Sequence, residues 1–93
     1  MSIDVKAATE IATTYLQDLM KFQLENLRLE EVELSEDGHE WLITLGFDVP
    51  TRINNSLANI ALGTNLAYQR EYKIFKIDSE KGEVKSMKIR SLK

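Results

Sequence analysis

The alternation of apolar and polar positions divides the chain into one helical segment followed by four extended ones. Between Asp4 and Leu24, Ala8, Ile11, Ala12, Tyr15, Leu19 and Phe22 recur at spacings of three and four. Lys6, Glu10, Thr13, Thr14, Gln17, Asp18 and Lys21 fall on the other side. That period predicts an amphipathic helix. Asp4 or Ser2 can cap it by accepting a first-turn amide. Asn26 tolerates the left-handed conformation that ends many helices. The small residues Ala7, Ala8 and Ala12 would let the first half of the helix lie close to a sheet.

Beyond the helix the period changes to two. A first strand is expected from about Arg28 to Ser35, but its phase slips. Leu27 and Leu29 agree with each other, while Val32 and Leu34 take the opposite parity, so either a bulge sits near Glu30-Glu31 or the strand starts only there. Glu36-Asp-Gly-His39 is the reversal, with Asp-Gly a strong turn pair. In the second strand, Glu40 to Val49, Trp41, Ile43, Leu45, Phe47 and Val49 share one face, and Leu42, Thr44, Gly46 and Asp48 the other. Pro50 is expected to stop it by removing a ladder donor. The third and fourth strands, about Tyr68 to Ile77 and Glu83 to Leu92, flank Asp78-Ser-Glu-Lys-Gly82 and form a second hairpin. Phase slips are expected in both, between Ile74 and Phe75 and between Val84 and Met87.

The stretch from Pro50 to Ala67 breaks the pattern. It is rich in Asn and Ser, almost uncharged, and suits a short helix capped by Asn55 or Ser56 and ended at Gly63. Connections this long between strands are more often functional than short ones. Arg52, Asn54, Asn55 and Asn65 supply hydrogen-bonding groups there, Leu57 an apolar anchor, and Tyr68 opens the next strand. These six residues are the candidate interaction site. The plainer account is that its apolar residues tuck under the sheet end as a lid, or pair with a second subunit.

Length and composition narrow the picture. Ninety-three residues make one domain. No cysteine is present, so the core must form without disulfides or thiolate metal sites. An apolar content of 43% against 29% charged residues excludes a disordered chain. The opening decapeptide carries acid and lacks an apolar core, unlike a signal peptide, and no window reaches the length of a membrane span. A cytoplasmic protein is the expectation.

The net charge of −3 argues against non-specific nucleic-acid binding. Its distribution is uneven. From Glu25 to Asp48 the charges are nearly all acidic, opposed by Arg28, whereas Lys and Arg predominate from Arg70 onward. Either this steers a charged partner, or opposite charges pair across strands on the wet face of one sheet. The second reading is the simpler. Tyr68, Arg70 and Tyr72 share a parity, as a base-stacking sheet would require; aromatics facing the helix and lysines facing water is the plainer arrangement.

Signals for chemistry are sparse. A Ser-His-acid arrangement would need His39, which lies in an exposed turn. Asp37, His39 and Glu40 are adjacent, but alternation throws adjacent side chains to opposite faces, so no metal site is expected. The carboxylates Glu30, Glu31, Glu33 and Glu40 read as solubilising or edge-protecting charge, since nothing nearby would raise a carboxylate pKa for acid–base work. Trp41 is expected in the core. No cofactor or catalytic residue is assigned.

The Ala-rich helix (Ala7, Ala8, Ala12), the hairpin Val32-Glu-Leu…Trp41-Leu-Ile-Thr-Leu and the final hairpin Tyr72-Lys-Ile-Phe-Lys-Ile-Asp78…Gly82-Glu-Val84 together resemble the PepSY-type domains and their cystatin-like relatives. The resemblance leaves out Pro50 to Ala67. It implies an α+β fold in the order helix-strand-strand-strand-strand, with protease inhibition or peptide binding as the role. The resulting expectation is one N-terminal helix on a curled four-stranded antiparallel sheet. This would serve as a non-catalytic module binding a protein or peptide through a sheet edge or the 50–67 connection, and able to self-associate as a homodimer. The alternative is a small-ligand binder or enzyme with a pocket between helix and sheet.

Overall fold

The computed structural model of the protein describes residues 2–20, 24–51 and 67–91. One helix, α1 (Val5–Leu19), precedes the strands β1 (Glu25–Leu34), β2 (Glu40–Thr51), β3 (Ala67–Asp78) and β4 (Val84–Ile89). All neighbouring strands are antiparallel, in the order β1-β2-β3-β4. The sheet is open, with β1 and β4 at its edges. This is the α+β arrangement expected from the sequence.

Asp4 caps α1, its carboxylate accepting the Ala7 amide at 2.8 Å. The helix presents Ala8, Ala12 and Leu16, all fully buried, to the sheet. Tyr15 and Leu19, expected within that stripe, sit at its margin and are exposed. Leu16 takes the central place because spacings of four from Ala8 follow the helix surface more closely. The helix also ends earlier than Leu24: Met20 turns extended at ψ 135°, and Leu24 packs against the core on the approach to β1.

The core is the predicted inner face of β2, Ile43, Leu45, Phe47 and Val49, joined by Phe75 and Ile77 of β3. Phe75 meets the Tyr15 ring edge-on at a centroid distance of 6.2 Å. Trp41 is half-buried against this cluster, and its indole N–H donates to the Ile3 carbonyl at 3.1 Å. Ile3 in turn donates its amide to Ser79, and the buried Ser79 hydroxyl donates to the Gly38 carbonyl at 2.7 Å. Both hairpin turns and the N-terminal segment are thereby tied at one end of the sheet. Gly38 and Gly82 take positive φ in those turns, at 75° and 73°, a conformation glycine adopts without steric cost.

Of the two readings of the β1 slip the bulge holds: it lies between Leu29 and Glu31, and the strand already begins at Glu25. The slip expected in β4 appears where Ser86 and Val84 face Lys76 and Ile77. The slip expected between Ile74 and Phe75 is absent: β2 and β3 pair without interruption from Glu40/Asp78 to Thr51/Ala67. Ile74 simply points to the face opposite Phe75. Asn26 does take a left-handed conformation, at φ 52°, but within a second irregularity of β1 and not at the helix end.

Pro50 does not stop β2. It pairs with Tyr68, and the strand runs on to Thr51. The β1 ladder ends opposite Asp48, so among the described residues Pro50 has a neighbouring strand on one side only. A missing donor is tolerated where it faces an open side.

Candidate interaction edge

Of the residues singled out in the sequence, Arg52, Asn54, Asn55, Leu57 and Asn65 lie outside the described residues, as does the expected short helix. Tyr68 is placed as a β3 position opposite Pro50. The described residues instead direct attention to β1.

Strand pairing sorts β1 into two faces. Leu29, Val32 and Leu34 stand opposite Leu45, Ile43 and Trp41, and so share the helix side of the sheet. The helix packs mainly on β2, with lesser contact to β3 and β4. Its reach leaves Leu29, Val32 and Leu34 between 41% and 45% exposed. Three apolar side chains thus line the helix side of an edge strand whose outer backbone groups have no neighbouring strand among the described residues. Alternation alone marks Val32 and Leu34 as core-facing; that α1 stops short of them is not written in the local sequence.

On the other side of the sheet, charge takes the place of the helix. Arg70 Nη2 contacts Glu30 at 2.7 Å, and Nη1 reaches Asp48 at 3.2 Å and the Asn26 carbonyl at 2.7 Å. The Arg70 hydrogen bond holds the Glu30 carboxyl below its ordinary range, against the opposing effect of partial burial. Asp48 is lowered chiefly by the Asn26 amide and then by Arg70. Arg70 is raised, first by Glu30. This cluster lies over Gly46, where an added Cβ would stand 2.8 Å from Glu30 Cγ and 2.9 Å from Arg70 Nη2. Arg90, just beyond β4, crosses the same face to donate to Thr44 Oγ1 at 2.7 Å and to pair with Glu31. Cross-strand pairing therefore accounts for much of the uneven charge distribution. Tyr72 does share this face with Arg70, whose guanidinium lies 6.0 Å from the ring centroid, yet that cation is already held by two carboxylates.

A shallow hollow of about 450 Å³ opens beside β1 on this outer face, lined by Glu31, Val32, Glu33, Leu42, Ile74 and Arg90. Leu42 and Ile74 are half-buried and form its floor. Other hollows among the described residues lie at the Arg70–Arg90 end of β3, near Asn26, and at His39. α1 lines none of these four. His39 is exposed in its turn, and Asp37 beside it is lowered first by the Ser35 hydroxyl. Among the described residues no group of three or more His, Asp or Glu side chains gathers as a metal site. No helix among them is long and apolar enough to cross a membrane.

Comparison with known protein families, with curated proteins and with solved structures yields no match.

Proposed function

We propose that the protein is a non-catalytic interaction module that binds a protein or peptide through the β1 edge of its sheet. The observation that carries this reading is the row Leu29, Val32 and Leu34, left more than two-fifths exposed on the helix side of an edge strand. Open backbone donors and acceptors beside an apolar row are what an added strand uses: the main chain supplies affinity and alternate side chains supply selectivity. A reading as a base-stacking sheet is weaker, because Arg70 and Arg90 are engaged by Glu30, Asp48 and Glu31.

The test is a comparison of baits. Wild-type protein and a Val32→Asp variant are cross-linked in parallel to cell extract proteins, with folding of each checked by circular dichroism. Cross-links that map to β1 and vanish in the variant are expected. Cross-links confined to residues 50–67 would move the site to that connection, and a thermal-shift rise with one class of metabolite would favour a ligand pocket.

A further inference from the structure

We infer that the β1 edge selects a basic partner: an extended segment in which Lys or Arg alternates with apolar residues. This rests on the edge-binding reading above and names the chemistry of the occupant. The run Glu31-Val32-Glu33-Leu34 is the regular part of the edge, lying between the bulge at Glu30 and the turn. A strand added antiparallel to it would place side chains opposite Val32 and Leu34 on the helix side, against the exposed apolar row. Side chains opposite Glu31 and Glu33 would fall on the outer face, beside the hollow floored by Leu42 and Ile74. That hollow suits the aliphatic stem of a long cationic side chain, with its head among the carboxylates.

The charge is in place for it. The segment from Glu25 to His39 carries Glu25, Glu30, Glu31, Glu33, Glu36 and Asp37 against Arg28. Glu30 is answered by Arg70 and Arg28, and Glu31 by Arg90. Among the described residues Glu25, Glu33 and Glu36 have no cation within 4.0 Å. Among the described residues Arg90 is the one cation lining the hollow, and Glu31 meets its charge. Lys76 and Lys88 stand opposite Leu42 and Ile74 on the same face, but neither lies within 4.0 Å of Glu33, which leaves that carboxylate for an incoming ammonium or guanidinium group. The same charges oppose a second copy on this edge. Two β1 strands paired about Val32 would set each Glu31 opposite a Glu33, and directly opposed like charges destabilise a sheet.

Fluorescence anisotropy with labelled octapeptides tests the inference. A peptide alternating Lys and Val is expected to bind saturably, and one alternating Glu and Val at least tenfold more weakly. Methylating alternate backbone nitrogens of the Lys peptide should abolish binding, because charge and apolarity remain while ladder donors are lost. Glu33→Lys should weaken the Lys peptide about fivefold, the upper range for one cross-strand pair, and Val32→Asp should remove binding. Equal binding of both peptides, full binding of the methylated peptide, or indifference to Glu33→Lys would overturn the proposal. So would a self-association, seen by light scattering, that Val32→Asp disperses. The broader reading has a separate readout. If only the Glu peptide binds, and Val32→Asp abolishes it, the basic-partner inference falls while binding at the β1 edge stands; if no peptide binds, or if binding is lost only with Ile89→Asp on the β4 edge, both fall.

Discussion

The middle of β2 is buried on both faces, by opposite means. On the helix side Ile43, Leu45 and Phe47 are covered by α1 and by Phe75. On the outer side Thr44 and Gly46 are equally buried, although no helix among the described residues lies there. Arg90 lies over Thr44, and the Glu30–Arg70 pair lies over Gly46. The difference teaches that a sheet this small can seal its centre with long charged side chains on the face that α1 does not cover. Their stems exclude water while their heads stay partnered at the rim. The edge strand β1 receives neither cover on its helix side, and that is where the apolar row remains open.

The comparison breaks most sharply on the helix side. Phe75→Ala should cost about 3–5 kcal/mol, the usual range for emptying a buried aromatic site. For a domain of this size that is a large fraction of the total, and urea unfolding followed by circular dichroism would measure it. On the outer face Gly46→Val should cost about 1–3 kcal/mol through overpacking. Replacing a strand glycine elsewhere usually helps. A neutral result at Gly46 would mean that the Glu30–Arg70 pair can swing aside, and that charge is not a true cover.

Arg90→Ala should cost about 1 kcal/mol, from the lost hydrogen bond to Thr44 and the uncovered hydroxyl. Pairing it with Thr44→Val in a double-mutant cycle separates the contact from the cover.

Acid sharpens the same contrast. Glu30, Asp48, Asp37 and Asp78 are all held below their ordinary values. A carboxyl whose folded pKa is depressed contributes stability that is present above its unfolded pKa. That contribution is lost as pH falls through the folded value. Thermal midpoints should therefore decline from about pH 4 downward, and a Glu30→Gln variant should converge on the wild type in that range. An apolar helix side predicts no such dependence for Phe75→Ala relative to wild type. The smallest effect is expected at the edge: Val32→Asp should cost no more than about 1 kcal/mol, the span of strand propensity, because two-fifths of the side chain is already open to water. A larger loss would show that the apolar row is needed by the fold.

How much of this was legible beforehand differs by element. The inner face of β2, the Asp4 cap, both glycine turns and the slips in β1 and β4 were readable because each follows from a period or a backbone preference within a few residues. Leu16 was missed, since a stripe counted from Ile11 and Tyr15 runs along the margin of the true contact. Pro50 was misread because proline ends a strand only where both sides are paired, and pairing is not a local property. The candidate residues named in the long connection, apart from Tyr68, lie outside the described residues, while Val32 and Leu34 figured in the phase slip and not among the candidates.

The amino-acid sequence by itself determined the order of elements, the turns, and which side chains of each strand share a face, because those depend on periods of two and near four. Only the tertiary structure decided which strands lie at the edges, how far α1 reaches across the sheet, and that Arg70 and Arg90 cover β2 from the far side. Those outcomes depend on the sum of contacts between segments distant in the chain. A leucine or valine reads identically whether a helix reaches it or stops one strand short.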